Sequence, residues 1–221
     1  MSENVKTITE QIYLMIRNDI LRQNRKMGER LTVKQLQDQL GVSSTPIREA
    51  LTRLQQDGLI EYQPNVGMRV VTMTEKDLRE IFQMMVEYDC IAMRFACESS
   101  EREELLRRLS HVQENAAQCL RLGDLEKWEE LSDEFHLEFY HFCNNRRLRV
   151  AAEKNRLQFG IFSNAYQRLP ANQRDIQCQH DEILRCLMAG DDDRAIQMLR
   201  KHTEASMEKA LRCLRSVKAD D

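Results

Sequence analysis

Three histidines carry the most specific chemistry in this sequence. His136 closes the run Ser132-Asp133-Glu134-Phe135-His136, His180 lies inside a later helical pattern, and His202 follows it by 22 residues with Gly190 near the middle. A turn at that glycine folds two helices back on each other and brings both imidazoles to one level. His136, on another helix, is placed to complete a group inside a bundle. Neutral imidazoles suit Zn(II), Ni(II) and similar divalent ions. Each histidine taken alone also reads as a hydrogen-bonded polar group of a helical interior. A metal-dependent hydrolase built on them would need a base beside a metal-bound water, such as Glu134 or Asp181. No HExxH spacing supports that reading. His111 and His141 lack any such arrangement and read as surface or packing residues.

A second cluster lies near the N-terminus. Ser43, Ser44 and Thr45 precede Pro46 and a helical run in which Ile47, Ala50, Leu51 and Leu54 share one face. Pro46 suits the first helical turn, where its missing N–H costs nothing. Small hydroxyls at a helix N-terminus let free N–H groups approach a phosphate. Arg48, one turn in, reaches a base edge or a phosphate, with Thr52 on the same outer side. Gly67, between two short strand-like runs, lets a hairpin tip approach a minor groove. The bland alternative is that the hydroxyls only cap the helix and Arg48 is only surface charge. The second rival is a winged module that binds protein.

The elements that must hold these clusters follow from composition and punctuation. The chain has 221 residues, 42% hydrophobic, with only 7 Gly and 3 Pro, so a mainly α protein is expected. Residues 1–74 carry ten Lys/Arg against eight Asp/Glu, and 75–221 carry 23 against 28, so net charges of +2 and −5 recover the total of −3. The sign of that asymmetry suits an N-terminal nucleic-acid binder. A boundary is expected near residues 72–76. Before it, a helix from Thr7 or Thr9 to Leu21, a polar link, a short helix capped by Thr32 and stopped at Gly41, the Pro46 helix and a hairpin (LIEYQ, GMRVVTM) give a winged helix-turn-helix order. After it, six or seven helices and no strand predict an all-α helix bundle. Their stops fall at Gly123, Asn144-Asn145, Leu169-Pro170 and Gly190. No stretch approaches the ~20 apolar residues of a membrane span, and MSENVKTITEQ lacks a signal-peptide core. Seven Cys without a CxxC pair suggest buried free thiols in a cytoplasmic protein.

The 40-residue run LTVKQLQDQLGVSSTPIREALTRLQQDGLIEYQPNVGMRV resembles the DNA-binding domain of GntR-type bacterial transcription regulators, most specifically from Thr45 to Leu59. The resemblance implies a recognition helix in the major groove and a wing at the neighbouring minor groove. The implied DNA-facing residues are Lys34, Ser43, Ser44, Thr45, Arg48 and Gly67. Some relatives have arginine where this chain has Ser44, so operator sequence does not carry over. More loosely, residues 76–210 are similar to the helical, FCD-type ligand-binding domain of the FadR branch of that family. Many members bind a divalent metal in the effector pocket through D-x-x-F-H and two later histidines. His136, His180 and His202 fill the histidine places, whereas the aspartate place is Ser132. Asp133 is rotated by about 100° on a helix. Where many relatives have an arginine for the effector's carboxylate, this chain has Met85; Arg94 or Arg156 are the candidates to supply that charge.

The resemblance therefore implies a regulator, not an enzyme. A homodimer would bind a double-stranded operator with inverted half-sites, under control of a small, carboxylate-type effector and with a divalent metal as cofactor. The expected division is 1–74 for DNA and 75–221 for effector binding and dimerisation.

Overall fold

The computed structural model describes residues 6–167 and 170–219. They form two compact units, 6–74 with 157–162, and 75–156 with 163–167 and 170–219.

In the first unit, the Thr7 hydroxyl accepts a bond from the Glu10 N–H and starts α1 (Ile8–Leu21). Ile12, Tyr13, Ile16 and Ile20 turn inward, while Ile8 and Met15 on the same periodic pattern are exposed. Thr32 caps α2 (Val33–Leu40) in the same way, and Gly41 ends it at φ 66°, a left-handed turn that a side chain would strain. α3 (Ser44–Gln56) follows and buries Ile47, Ala50, Leu51 and Leu54. The Tyr13 hydroxyl donates to Asp57 Oδ2 at 2.6 Å and ties α1 to the end of α3.

The wing has three strands rather than two. β1 (Arg30–Leu31), β2 (Ile60–Gln63) and β3 (Gly67–Val70) pair antiparallel in the order β1-β3-β2. Register sets Arg30 opposite Arg69 and Tyr62 opposite Met68. Arg30 and Leu31 fall at the end of what the sequence suggests is a polar link. Two residues are too few to show a strand period, and their partner lies some forty residues on.

After residue 74 there are six helices among the described residues and no strand: α4 (Glu75–Cys97), α5 (Arg102–Leu122), α6 (Leu125–Phe142), α7 (Arg146–Gln167), of which 157–162 count with the first unit, α8 (Pro170–Met188) and α9 (Asp192–Ala219). The expected stop at Leu169 lies outside the described residues. Phe82, Trp128, Phe135, Phe139, Ile183 and Leu199 fill the core. α8 and α9 pack together across Gly190, whose φ of 77° makes the tight turn. No described helix is long and apolar enough to cross a membrane. All seven thiols are free, but only Cys90 and Cys143 are buried and Cys178 is exposed, so the expectation of buried thiols holds for two.

Candidate functional site

The start of α3 is open. Ser43 takes the N-cap position in extended conformation (φ −68°, ψ 163°), yet its side chain makes no capping bond. The first N–H groups of the helix are thus left for another acceptor. Ser43, Thr45, Arg48 and Lys34 are exposed and Ser44 is half-buried. Thr52 turns its hydroxyl onto the Arg48 carbonyl at 2.9 Å and is spent locally. Gly67, at φ 98°, opens β3 after the Pro64-Asn65 turn.

In the second unit the 22-residue spacing does what helix geometry dictates. His180 Nε2 and His202 Nε2 are 3.2 Å apart, and His136 joins them so that one ring nitrogen of each lies within 4.8 Å of the others. All three are buried. Phe135 stacks on His180 with centroids 4.4 Å apart and fixes its plane. The Gln179 amide oxygen sits 2.7 Å from His202 Nδ1. With that oxygen as acceptor, Nδ1 carries the proton, the His202 Nε2 lone pair faces the group, and His180 Nε2 is the donor of the 3.2 Å contact. Burial, with the neighbouring rings, drives the pKa of His180 well below 6.5, and burial with His136 lowers that of His202 to about 3. Both are neutral ligands at physiological pH. Two nitrogens on a tetrahedral ion at ~2.0–2.1 Å stand about 3.3 Å apart. The observed separation of 3.2 Å fits that edge, so the group could hold a metal ion.

A fourth helix adds a carboxylate that no spacing argument singled out. Asp89, in the middle of α4, is 1% exposed. Its Oδ1 accepts from Tyr140 Oη at 2.6 Å and from Arg156 Nη1 at 2.9 Å, and its Oδ2 lies 3.3 Å from His136 Nδ1. Burial alone would raise its pKa, but the Arg156 charge and the adjacent imidazole outweigh it and hold the carboxyl at about 2. The sequence did contain a signal: Asp89 interrupts the buried stripe Leu78, Phe82, Met85, Ala92, Ala96. A charge on such a stripe needs a partner or a role.

Ser132 is buried one turn before His136, as expected, and Asp133 is half-buried beside the cluster, its pKa raised by burial. Met85 is buried on α4. Arg156 is already engaged by Asp89. Arg94 is exposed and lines a shallow hollow of about 330 Å³ with Cys97, Glu98 and Gly190–Asp193 at the α8–α9 turn. The structure thus brings Arg156 to the histidines and leaves Arg94 some ten residues, or about 15 Å of helix, from the level of His180. Glu134 is exposed, and Asp181 is bonded to Gln177 at 3.1 Å, so neither candidate base belongs to the three-histidine group.

The chain thus joins a winged helix-turn-helix whose recognition-helix start is open to a helical bundle whose interior gathers three histidines. The chain belongs to the GntR family of bacterial regulators, in the group with an FCD domain. The family described as "Bacterial regulatory proteins, gntR family" matches residues 8–70, and "FCD domain" matches residues 80–205. Among curated relatives, the HTH-type transcriptional regulator YdhC of Bacillus subtilis is 28% identical over 65% of this chain and 64% of its own length. BphR of Paraburkholderia xenovorans is 25% identical over 92% and 85%, and McbR of Escherichia coli 33% over 59% and 61%. The chain therefore spans slightly under two thirds of YdhC and McbR. The solved structure of E. coli McbR superposes with a TM-score of 0.78, at 25% identity, over 93% of this chain and 98% of that one. All three relatives are described as HTH-type transcriptional regulators.

Proposed function

We propose that this protein is an effector-controlled transcription regulator. In this reading residues 1–74 bind DNA, and residues 75–221 bind a small effector and form the dimer. A cytoplasmic homodimer then meets an operator of inverted half-sites about one helical turn apart. Lys34 and the open start of α3, with Ser43, Ser44 and Thr45, hold phosphate; Arg48 reaches a base edge or phosphate; the Gly67 wing lies at the next groove. Phosphate contacts supply salt-dependent affinity, and the helix supplies readout.

The observation that carries the sensing half is the buried group of His136, His180 and His202, whose nearest nitrogens sit 3.2 Å apart. Those residues would hold a divalent ion of the Zn or Ni class. When bound, the ion supplies a positive centre on which an oxygen donor such as a carboxylate can rest. Gln179 sets the His202 tautomer, Phe135 fixes the His180 ring, and Arg156 neutralises Asp89 in the dry interior. With Met85 apolar and Arg156 already paired, the ion stands in for the arginine that holds a carboxylate in relatives.

Native mass spectrometry of the full-length protein, purified without chelator, tests both halves. Dimer mass plus one metal per chain is the expected result, lost in His180→Ala. A wild-type protein carrying no transition metal, even after incubation with Zn(II) or Ni(II), would reduce the histidines to a polar core.

A further inference from the structure

We propose that the buried amides of Gln113 and Gln173 form the far end of the effector site, where their N–H groups take a neutral oxygen, carbonyl or hydroxyl, of a monocarboxylate whose carboxylate rests on the ion. The inference rests on the carboxylate-on-ion reading and adds the rest of the molecule that fits it. Gln113 Nε2 on α5 and Gln173 Nε2 on α8 are buried with no hydrogen-bond partner, in residues 4% and 2% exposed. Native interiors leave few such donors. The orientation of Gln113 is not a free choice. An indole N–H only donates, so Trp128 Nε1, 3.0 Å from Gln177 Oε1, fixes that oxygen toward itself. Gln177 Nε2 then donates to Asp181 Oδ1 at 3.1 Å and to Gln113 Oε1. Turning the Gln113 amide round would set two NH2 groups face to face. The chain of bonds therefore ends on an N–H, and only an acceptor completes it.

These amides lie beside the histidine group. Gln173, Gln177 and His180 are all buried and follow at spacings of four and three, so they form one interior row along α8. Gln177 precedes His180 by about 4.5 Å of helix rise, and Gln173 by about 10 Å. Gln113 reaches the middle of that row from α5. A ligand that rests one oxygen on the ion thus meets the first unpaired N–H groups about one turn of α8 away. Charge decides what it presents there. Gln113, Gln173, Gln177 and Trp128 are neutral, and Asp181 brings a carboxylate to the same chain of bonds. Arg156 is spent on Asp89, and Lys209, level with Gln173 across the α8–α9 pair, is spent on Asp175. A second carboxylate buried at this end would have no cation of its own, whereas a ketone, amide or hydroxyl oxygen satisfies the N–H groups without one. The fitting molecule is therefore a single acid with an uncharged oxygen further along its chain, not a dicarboxylate.

Calorimetry on full-length, Zn(II)-loaded protein tests this with three matched series of straight-chain acids about five to eight carbons long, lengths that span one to two turns of α8. The keto acids carry a ketone on the penultimate carbon, the alkanoates carry nothing there, and the dicarboxylates end in a second carboxylate. At its best length the keto acid should bind about tenfold tighter than its alkanoate and its dicarboxylate. That comparison needs no variant. Gln113→Met should then bring the keto acid down to the alkanoate and leave the alkanoate unchanged, a split that mere loosening of the core would not give. Gln173→Met is read in the same way and stands beside it should the first variant not fold. Keto acids that bind no tighter than alkanoates at every length, or dicarboxylates that bind best, would overturn the proposal and leave the ion in place. So would a ketone preference that survives intact in either folded variant. Protein that takes up no Zn(II), or loaded protein that binds none of the acids, would overturn the carboxylate-on-ion reading and this proposal with it.

Discussion

At the scale of single residues, the three-histidine site is a balance of neutral bases and one screened acid. His180 and His202 are kept unprotonated by burial, with folded pKa values below the ordinary 6.5. The unfolded chain takes up those protons as pH falls below about 6.5, and the folded metal-free protein does not. Stability is therefore fully present above that pH and is lost as pH drops toward 3, at about 1.4 kcal/mol per pH unit for each proton. Asp89 adds a second loss only at the acid end, between its ordinary value of 3.8 and about 2. Chelator-treated protein should thus show a denaturation midpoint that falls steadily from pH 6.5 to pH 4.5, and His202→Gln should flatten that slope. A midpoint constant over the interval would mean that the imidazoles are not held neutral. The three histidines were legible because a 22-residue spacing about a glycine has one structural outcome. Asp89 was not, because its partners lie 47 residues and more along the chain and nothing local marks them. Its place on a buried apolar stripe was the only trace.

At the scale of elements, the helix stops were readable from glycine and asparagine, and α2 and α5 end at the glycines expected, Gly41 and Gly123. β1 escaped because two residues paired at long range have no local pattern. The recognition helix was readable from its split faces, apolar inside and hydroxyl-bearing at the start. Arg48→Ala should weaken operator binding and reduce the salt slope by about 1 if the side chain meets a phosphate, or relax sequence preference if it meets a base. Fluorescence anisotropy on specific and scrambled duplexes at several salt concentrations separates these. Unchanged binding at every salt would remove α3 from the groove. In the second unit, the Trp128 indole N–H donates to Gln177 Oε1 at 3.0 Å, and Gln177 Nε2 donates to Gln113 Oε1, so one donor-only group orients two buried amides that join α5, α6 and α8. Trp128→Phe leaves that acceptor buried without a partner, at a cost of about 1–3 kcal/mol. The melting temperature should fall by roughly 2–4 °C for each of those kcal/mol. A variant melting with the wild type would show that the amides rearrange freely.

At the scale of the whole molecule, the two units matter to each other only through free energy. An effector that binds both DNA-competent and DNA-incompetent states equally changes nothing, however tightly it binds. Regulation therefore requires a differential, typically ~1–3 kcal/mol, which moves operator affinity about 5–150-fold. The same factor must appear in reverse: operator DNA must shift the effector's affinity by an equal ratio. The metal enters this cycle as a third ligand. If the ion is the seat of the effector, stripped protein should bind operator with an affinity that no effector can change, while the metal-loaded protein responds. Operator titrations of loaded, stripped and His180→Ala protein, each with and without a small carboxylate found to bind by calorimetry, give the full cycle. An effector response of equal size in all three would separate sensing from the histidine group. A response confined to the loaded protein would place the ion at the point where the chemical signal enters the helical unit.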